Sequence, residues 1–179
     1  MIEAAGKTLR SAHTAKAEIT NLVVGIDADY VLNHYRSTAQ RLGRFRRRFG
    51  IDQTVLDSAL NIEPPLATDP VPSHTRPTPS KFVVDEACAV TLVDWEWSTL
   101  GPPERDLTLA VWQFANLQGE DAAAAFRRGY GAELPENRYR SWVAYHSAMM
   151  VLDAAEVRDG RLGGLSYLVD DLTQAVLGG

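Results

Sequence analysis

Two acidic residues, Asp94 and Glu96, follow a short apolar and β-branched run from Val90 to Val93. An acid at the end of a buried strand can serve as a metal ligand, but it can equally accept backbone hydrogen bonds and anchor a loop. Downstream, the segment Gly101 to Pro103 interrupts the chain before apolar residues recur at helical spacing from Leu107. The sequence therefore predicts a strand, a carboxylate-bearing loop and a helix, with metal binding by Asp94 as one of two interpretations.

The motif that contains these residues runs from Val93 to Leu107 and reads V-D-W-E-x-x-x-x-G-P-x-x-x-D-L. It resembles the aminoglycoside phosphotransferase and choline kinase superfamily, whose members carry I-D-[WF]-E/D, then G-x-P, then D-L-A. The resemblance implies a mainly α, protein-kinase-like C-terminal lobe with one small β-hairpin. It also implies that Asp94 stands at the metal loop and that Glu96 is either a second ligand or a solvated loop residue. The Asp106 carboxylate is implied to brace the catalytic loop through backbone N–H groups.

A second window, His74 to Lys81, reads H-T-R-P-T-P-S-K where the family places H-G-D-x-x-P-x-N. In this register Arg76 replaces the catalytic Asp, and Lys81 replaces the metal-binding Asn. Phosphoryl transfer needs the Asp to orient and deprotonate the acceptor hydroxyl and the Asn to hold magnesium. Arg76 does not deprotonate at physiological pH, and Lys81 repels a divalent cation. We therefore expect weak Mg-ATP binding or none, and the sequence indicates no other cofactor.

The nucleotide-binding half of the family's fold has no counterpart in this sequence, because no glycine-rich loop precedes a strand Lys of the V-A-I-K type. The helical pattern from Ile2 to Thr14 instead resembles the first helix of the family's C-terminal lobe, which often carries L-x-x-L-H. Here His13 keeps the His, and Ala12 replaces the second Leu. The resemblance thus implies a C-terminal lobe that lacks the N-terminal lobe.

The composition is that of an ordinary globular protein: 179 residues, 45% apolar, 23% charged, with a formal net charge of −5. We expect one domain over residues 1–179. The negative charge argues against nucleic-acid binding, which requires clustered cations. The single Cys88 excludes an internal disulfide and fits a reducing compartment. Because the sequence shows neither a signal peptide nor an apolar run of the roughly 18 residues that span a bilayer, a cytoplasmic protein without membrane contact is predicted.

Hydrophobic periodicity divides the chain into four segments. These are a helical segment at 1–62, a Pro-rich connector with the altered catalytic loop at 63–80, a hairpin and metal-like loop at 81–97, and a helical segment at 104–178. The hairpin joins 82–84 to 89–93 and is the one strand pair predicted. Helices are expected at 2–14, from a cap at Asp27 or Asp29 to residue 49, and at 52–60, 104–117, 121–130, 135–158 and 163–177.

A groove between the altered loops and the later helices is the expected binding site, because the related kinases hold their acceptor there. For the two histidines, packing in the core is the alternative to ligand binding. The cationic and acidic side chains at the groove's mouth suit a zwitterionic or carboxylate-bearing ligand. The ligand-binding candidates are His74, Arg76, Lys81, Asp94, Glu96, Trp97, Trp142 and His146.

The strongest charge cluster lies outside that groove, between residues 41 and 48. It consists of Arg41, Arg44, Arg46, Arg47 and Arg48, in a chain that is acidic overall. A solvated helix face accounts for such a run, and docking of an acidic partner or peptide is the alternative.

Three functions remain open on the sequence alone. The first is a phosphotransfer-inactive relative that binds a small molecule, a peptide or a partner protein in the former acceptor groove. The second is a repurposed enzyme, for example one that catalyses a cyclisation or elimination in natural-product biosynthesis, with groups such as His74 and Glu96 for acid–base work. The third is the C-terminal lobe of a split phosphotransferase. A homo-oligomer that covers the surface of the absent lobe is also expected.

Overall fold

The computed structural model describes residues 1–15, 28–62, 70–157 and 166–178. The chain divides into two compact units, each assembled from two separate stretches. Unit 1 comprises Met1–Asp27 and Leu66–Pro135, and unit 2 comprises Ala28–Pro65 and Glu136–Gly179. The expectation of one domain over the whole chain stays a prediction.

Helices dominate the described residues, as predicted. They are α1 (Ile2–Thr14), α2 (Ala28–Leu42), α3 (Arg46–Phe49), α4 (Gln53–Asn61), α5 (Pro103–Gln118), α6 (Glu120–Tyr130), α7 (Glu136–Val157) and α8 (Tyr167–Leu177). The strands are β1 (Val71–Ser73), β2 (Phe82–Val84), β3 (Val90–Leu92) and β4 (Thr99–Gly101). The expected start of the last helix at residue 163 lies outside the described residues.

In unit 1, helices α1 and α6 approach each other closely because each presents a glycine at the contact. A Cβ atom built on Gly6 would lie 2.7 Å from the backbone nitrogen of Tyr130, and one on Gly129 would lie 2.7 Å from the carbonyl carbon of Glu3. Helix α5 packs against α6, where the Phe114 and Phe126 rings lie 5.0 Å apart. In this core α1 also contacts β1 and β3, and α5 contacts β1.

The predicted hairpin is present, with Phe82 paired to Leu92 and Val84 to Val90. Its turn runs from Asp85 to Ala89. The Asp85 N–H donates to the Ala89 carbonyl at 3.1 Å, and the Ala89 N–H donates to the Asp85 carboxylate at 2.8 Å. Closing this turn requires Cys88 to adopt φ 63°, a left-handed conformation that suits glycine.

A second antiparallel pair, between β1 and β4, was not predicted. Val71 pairs with Gly101 and Ser73 with Thr99, so the connector expected to be irregular contains a strand. The signal is weak in the sequence because each strand has three residues, β1 contains Pro72, and the partners are far apart along the chain. This pair fixes both ends of the segment that carries the candidate site.

In unit 2, helices α2, α7 and α8 form a core around side chains with no exposed surface, among them Tyr35, Trp142 and Leu168. Helix α7 is buried along nearly all of residues 142–148, as its apolar pattern predicts. The expected continuous helix to residue 49 is wrong. Helix α2 ends at Leu42, a 3₁₀ turn follows at Gly43–Phe45, and the short α3 ends where Gly50 adopts φ 65°.

No helix within the described ranges combines the length and the apolar character needed to cross a lipid bilayer. The cytoplasmic location inferred from the sequence stays a prediction.

Candidate functional site

The carboxylate of Asp106, in the first turn of α5, is fully buried. It connects α5 to α1, to β1 and to the loop that follows β1. Its Oδ1 accepts hydrogen bonds from the Ser73 hydroxyl and the Thr75 N–H, both at 2.9 Å. Its Oδ2 accepts from the His74 N–H at 2.6 Å and from His13 Nε2 at 3.3 Å. Asp106 therefore holds the loop that follows β1 by two consecutive backbone N–H groups, which is the geometry of a loop brace.

The charge of Asp106 is favoured by its neighbours. Burial by itself raises the pKa of this carboxyl, but the hydrogen bond and charge of His13, with smaller contributions from Arg105 and Ser73, outweigh it and leave the pKa below the usual 3.8. The other ring nitrogen of His13 lies 2.8 Å from the Tyr130 hydroxyl. This buried network links α1, α5 and α6 to the loop.

His74 is buried and has both ring nitrogens engaged. Nε2 lies 2.8 Å from the Val93 carbonyl, and the Arg76 N–H reaches Nδ1 at 3.3 Å. The ring contacts that of Trp95 edge-on, with the centroids 4.8 Å apart. These contacts hold the His74 ring against Val93 and Trp95, and its assignment as a ligand-binding residue stays a prediction.

Two loops, residues 74–81 and 93–97, are tied to each other and are called the paired loops here. The Val93 N–H donates to the Lys81 carbonyl at 2.9 Å, and the Thr75 hydroxyl donates to the Trp97 carbonyl at 3.2 Å. The bond from His74 to Val93 joins the same two loops. The candidates Arg76, Lys81, Asp94, Glu96 and Trp97 all lie on these loops.

Within the paired loops, the Lys81 ammonium forms an ion pair with the Asp94 carboxylate, and both side chains are about one-third exposed. The hydrogen bond from Lys81 is the main reason that the pKa of Asp94 lies below its usual value. The backbone at Asp94, two residues after β3 ends, adopts φ 72°, in the left-handed region.

These residues do not fit a magnesium ion. A divalent cation needs several oxygen ligands, and here an ammonium group already occupies the carboxylate that would lead the set. Across the part of the chain that the structure describes, no three His, Cys, Asp or Glu side chains are grouped as a metal ion requires.

The exposed rim of the paired loops is formed by Arg76, Glu96 and Trp97. The Trp97 side chain is 65% exposed, although its size and apolar character favour burial. Its indole N–H donates to Glu96 Oε1 at 2.9 Å, and the Arg76 guanidinium lies 6.0 Å from the ring centroid. The rim thus offers an aromatic surface with a cation on one side and an anion on the other.

The two remaining candidates, Trp142 and His146, are buried on α7 in unit 2. Their rings stack at 6.0 Å with an interplanar angle of 29°, and Tyr145 contacts both. The groove expected to join them to the paired loops stays a prediction.

The contacts of His13 and Tyr130 in the network around Asp106 were not predicted from the sequence. A signal was available for His13, because it ends a helix motif in which a His is characteristic. Tyr130 carries no such signal, since the last residue of an amphipathic helix is ordinarily a packing residue.

The sequence and the fold of this chain are similar to those of known phosphotransferases and kinases. The sequence profile of the phosphotransferase enzyme family matches residues 1–144. Among solved structures, the choline kinase of Streptococcus pneumoniae is 14% identical with a TM-score of 0.59, the alignment covering 99% of this chain and 62% of that one. An AMP-bound spectinomycin phosphotransferase is 17% identical with a TM-score of 0.62, covering 96% of this chain and 66% of that one.

A macrolide 2′-phosphotransferase from Brachybacterium faecium is 17% identical with a TM-score of 0.55, covering 99% of this chain and 61% of that one. At these identities the likeness establishes the kinase-like fold and no more. The chain spans about three fifths of the length of these proteins. No curated protein sequence matches it significantly.

Proposed function

The chain belongs to the phosphotransferase enzyme family, and we propose that within this family it binds a small zwitterionic or carboxylate-bearing molecule at the paired loops without transferring phosphate. The observation that carries the proposal is the ion pair between Lys81 and Asp94. A tethered ammonium neutralises the carboxylate that a metal would need, so the loop keeps its shape with no divalent ion. Phosphoryl transfer depends on such an ion to offset charge on the phosphate oxygens.

The second support is Arg76, which stands where the family's motif has a catalytic Asp. A guanidinium stays protonated at physiological pH and has no acceptor atom, so it cannot take the proton of an acceptor hydroxyl. It can, however, bind a carboxylate through paired hydrogen bonds. The substitution therefore exchanges a base for an anion-binding group at the same place.

The exposed rim gives the proposed ligand its chemistry. Arg76 offers donors to a carboxylate, Glu96 offers acceptors to an ammonium group, and the ring of Trp97 can stack on either an apolar or a cationic part of the same molecule. A molecule with both charges would engage all three side chains.

The metal-related part is tested by terbium luminescence, because Tb³⁺ seeks hard oxygen ligands and is sensitised by nearby indole rings such as that of Trp95. We expect little sensitised emission from wild type and a clear gain in Lys81→Asn, which frees Asp94 and adds an amide oxygen. The gain should disappear when Asp94→Asn is added. The matched control is Lys7→Asn, which breaks a comparable surface pair with Glu3, 3.1 Å long in the structure.

The same protein is titrated with Mg-ATP by calorimetry, where wild type should give no saturable heat. Micromolar Mg-ATP affinity, or Tb³⁺ emission in wild type equal to that of Lys81→Asn, contradicts the proposal.

The ligand-related part is tested with glycine betaine, which carries a carboxylate and a quaternary ammonium, against choline, which lacks the carboxylate. Betaine is expected to change the fluorescence of wild type saturably, and choline to do so at much higher concentration. The response should be lost in Arg76→Ala and Trp97→Ala and kept in Arg128→Ala, which removes an exposed cation from α6. If Arg76→Ala responds to betaine as wild type does, the proposal that Arg76 binds the carboxylate is wrong.

A second candidate function rests on one observation: the chain spans only 58–67% of the length of similar solved structures. In this alternative the chain acts as one part of a phosphotransferase whose nucleotide-binding part is another stretch of polypeptide. This alternative needs a metal at Asp94, so the terbium and Mg-ATP titrations decide between the two functions when they are repeated with that part present.

A further inference from the structure

The basic residues of this acidic chain are concentrated in one short stretch of unit 2. From Tyr30 to Ile51 the sequence contains no Asp or Glu and six arginines, out of 18 Lys and Arg in a chain with a net charge of −5. This stretch therefore carries positive charge only, whereas a solvated surface usually mixes positive and negative side chains.

The local fold sorts this stretch into two faces. Phe45 and Phe49, four residues apart, have ring centroids 6.3 Å apart and are half-buried. Arg44 and Arg47, three residues apart across the 3₁₀ turn and α3, are exposed. Residues at this spacing lie on the same side of a helical turn, so Arg44 and Arg47 belong to one exposed face.

Within the described part of the chain, the acidic residues nearest in sequence or structure have other partners. Asp52, the first acid after the cluster, caps α4 by accepting from the Thr54 N–H at 2.8 Å and its hydroxyl at 2.7 Å. Glu156 is paired with Arg41. Among the residues that the structure describes, none forms a hydrogen bond or ion pair with the side chain of Arg44 or Arg47. Two like charges on one face of the turn are therefore exposed, with the donors of both guanidinium groups available.

We propose that this arginine patch, formed by Arg44 and Arg47 with the half-exposed Arg46 beside them, docks an acidic segment of a partner protein. Each guanidinium presents a planar fork that matches a carboxylate, and Arg44 and Arg47 together match two acidic side chains on one short segment. The patch lies outside the paired loops in sequence, and the proposal is independent of the ligand proposed there.

The patch suits a peptide better than a lipid surface or a nucleic acid. Binding to a lipid surface relies on exposed apolar side chains that enter the bilayer, and Phe45 and Phe49 are turned partly inward. Nucleic-acid binding relies on a long track of cations, whereas this patch is a single turn in a chain that repels phosphate overall. A short acidic peptide can be bound by a single turn with two or three arginines, whereas a nucleic acid needs a longer track of cations.

The test uses the full chain and a fluorescein-labelled decamer of glutamate, with binding measured by anisotropy. Arg44→Ala/Arg47→Ala is expected to weaken binding by about tenfold or more, because charge-assisted hydrogen bonds are lost from both arginines. Arg44→Lys/Arg47→Lys keeps the charge and removes the fork, and should fall between wild type and the alanine variant. Arg127→Ala/Arg128→Ala on α6 removes the same charge elsewhere and should bind as wild type does.

Two further probes separate the alternatives: vesicles of phosphatidylserine and phosphatidylcholine, and a single-stranded oligonucleotide of thymidine. The proposal is overturned if either probe binds in preference to the glutamate decamer and depends on Arg44 and Arg47. It is also overturned if the decamer binds the alanine variant and wild type equally, or if wild type does not bind the decamer. Circular dichroism of each variant shows whether a loss of binding reflects a loss of folding, and Arg44→Gln/Arg47→Gln replaces the alanine pair if it does.

Discussion

Thr75 donates its backbone N–H to Asp106 Oδ1 at 2.9 Å while its own backbone is held at φ 72°. A β-branched residue in this left-handed region is strained, and the cost is of the order of 1–3 kcal/mol. The family's motif has a Gly at this place, so this chain keeps a glycine conformation without the glycine. The contacts to Asp106 and the bond from the Thr75 hydroxyl to Trp97 are what hold the loop there.

Removing that brace should destabilise unit 1. We expect Asp106→Ala to lower the free energy of unfolding by about 1–3 kcal/mol, towards the upper value because two backbone donors and two side-chain donors would lose their acceptor in a buried site. Chemical denaturation measures the change. Asp153→Ala, which removes an exposed carboxylate from α7, should change the free energy by less than about 0.5 kcal/mol. An Asp106→Ala protein as stable as wild type would refute the bracing role.

The same carboxyl should make stability depend on pH. The folded-state pKa of Asp106 lies below the unfolded value near 3.8, so its contribution is complete above the unfolded pKa and is lost as pH falls through the folded pKa. The groups that face it are His13, Ser73, Arg105 and the two loop N–H groups. We expect the difference in unfolding free energy between wild type and Asp106→Asn to shrink as pH is lowered below about 4. A difference that is the same at every pH, as expected for the control Asp153→Asn, would contradict this.

The contact between α1 and α6 should not tolerate a methyl group. Gly6→Ala and Gly129→Ala each drive a Cβ into the backbone of the facing helix, and we expect a loss of about 2 kcal/mol or more in unfolding free energy. Gly43→Ala is the matched control, since its Cβ would meet only Leu56 Cδ1, at 4.0 Å. Thermal unfolding of the three variants gives the comparison. Equal melting temperatures for all three would mean that α1 and α6 are not packed so closely.

In the hairpin turn, by contrast, we expect a substitution that introduces glycine to stabilise the protein. Cys88 adopts φ 63° and is exposed. Replacing it by glycine should remove the strain in the folded protein. Glycine also has more conformational freedom in the unfolded chain, which opposes this gain, so we expect a net stabilisation of about 0.5–1 kcal/mol. Cys88→Ser keeps the strain and should leave stability unchanged, which separates the backbone effect from loss of the thiol. Destabilisation by glycine in denaturant titrations would show that the turn does not need this conformation.

The sequence predicted the helices and the hairpin well because their signals are local. Apolar periodicity marks α1 and α5, and the hairpin follows from two β-branched runs beside a short turn. The pairing of β1 with β4 and the 3₁₀ break after Leu42 were missed. The first depends on residues that are distant in sequence, and the second on how Phe45 and Phe49 pack, which periodicity does not reveal.

For the candidate site, the sequence motif identified Asp94, Asp106 and the altered loop as candidates. Which residues they contact could be determined only from the structure. That Lys81 pairs with Asp94 depends on the register of the hairpin, which brings residues from its two ends together. That His13 reaches Asp106 depends on α1 packing against β1 and β3, a relationship that no local pattern encodes.

The interleaving of the two units has a consequence for synthesis on the ribosome. Unit 1 has all of its residues once Pro135 has been made, whereas unit 2 begins at Ala28 and must wait for the segment that starts at Glu136. The earlier segment of unit 2, including α2 and its apolar face, is therefore produced long before its partners α7 and α8. In a nascent chain the apolar side chains of α2 would still lack their packing partners on α7 when unit 1 is complete, so we expect a chaperone to bind at α2.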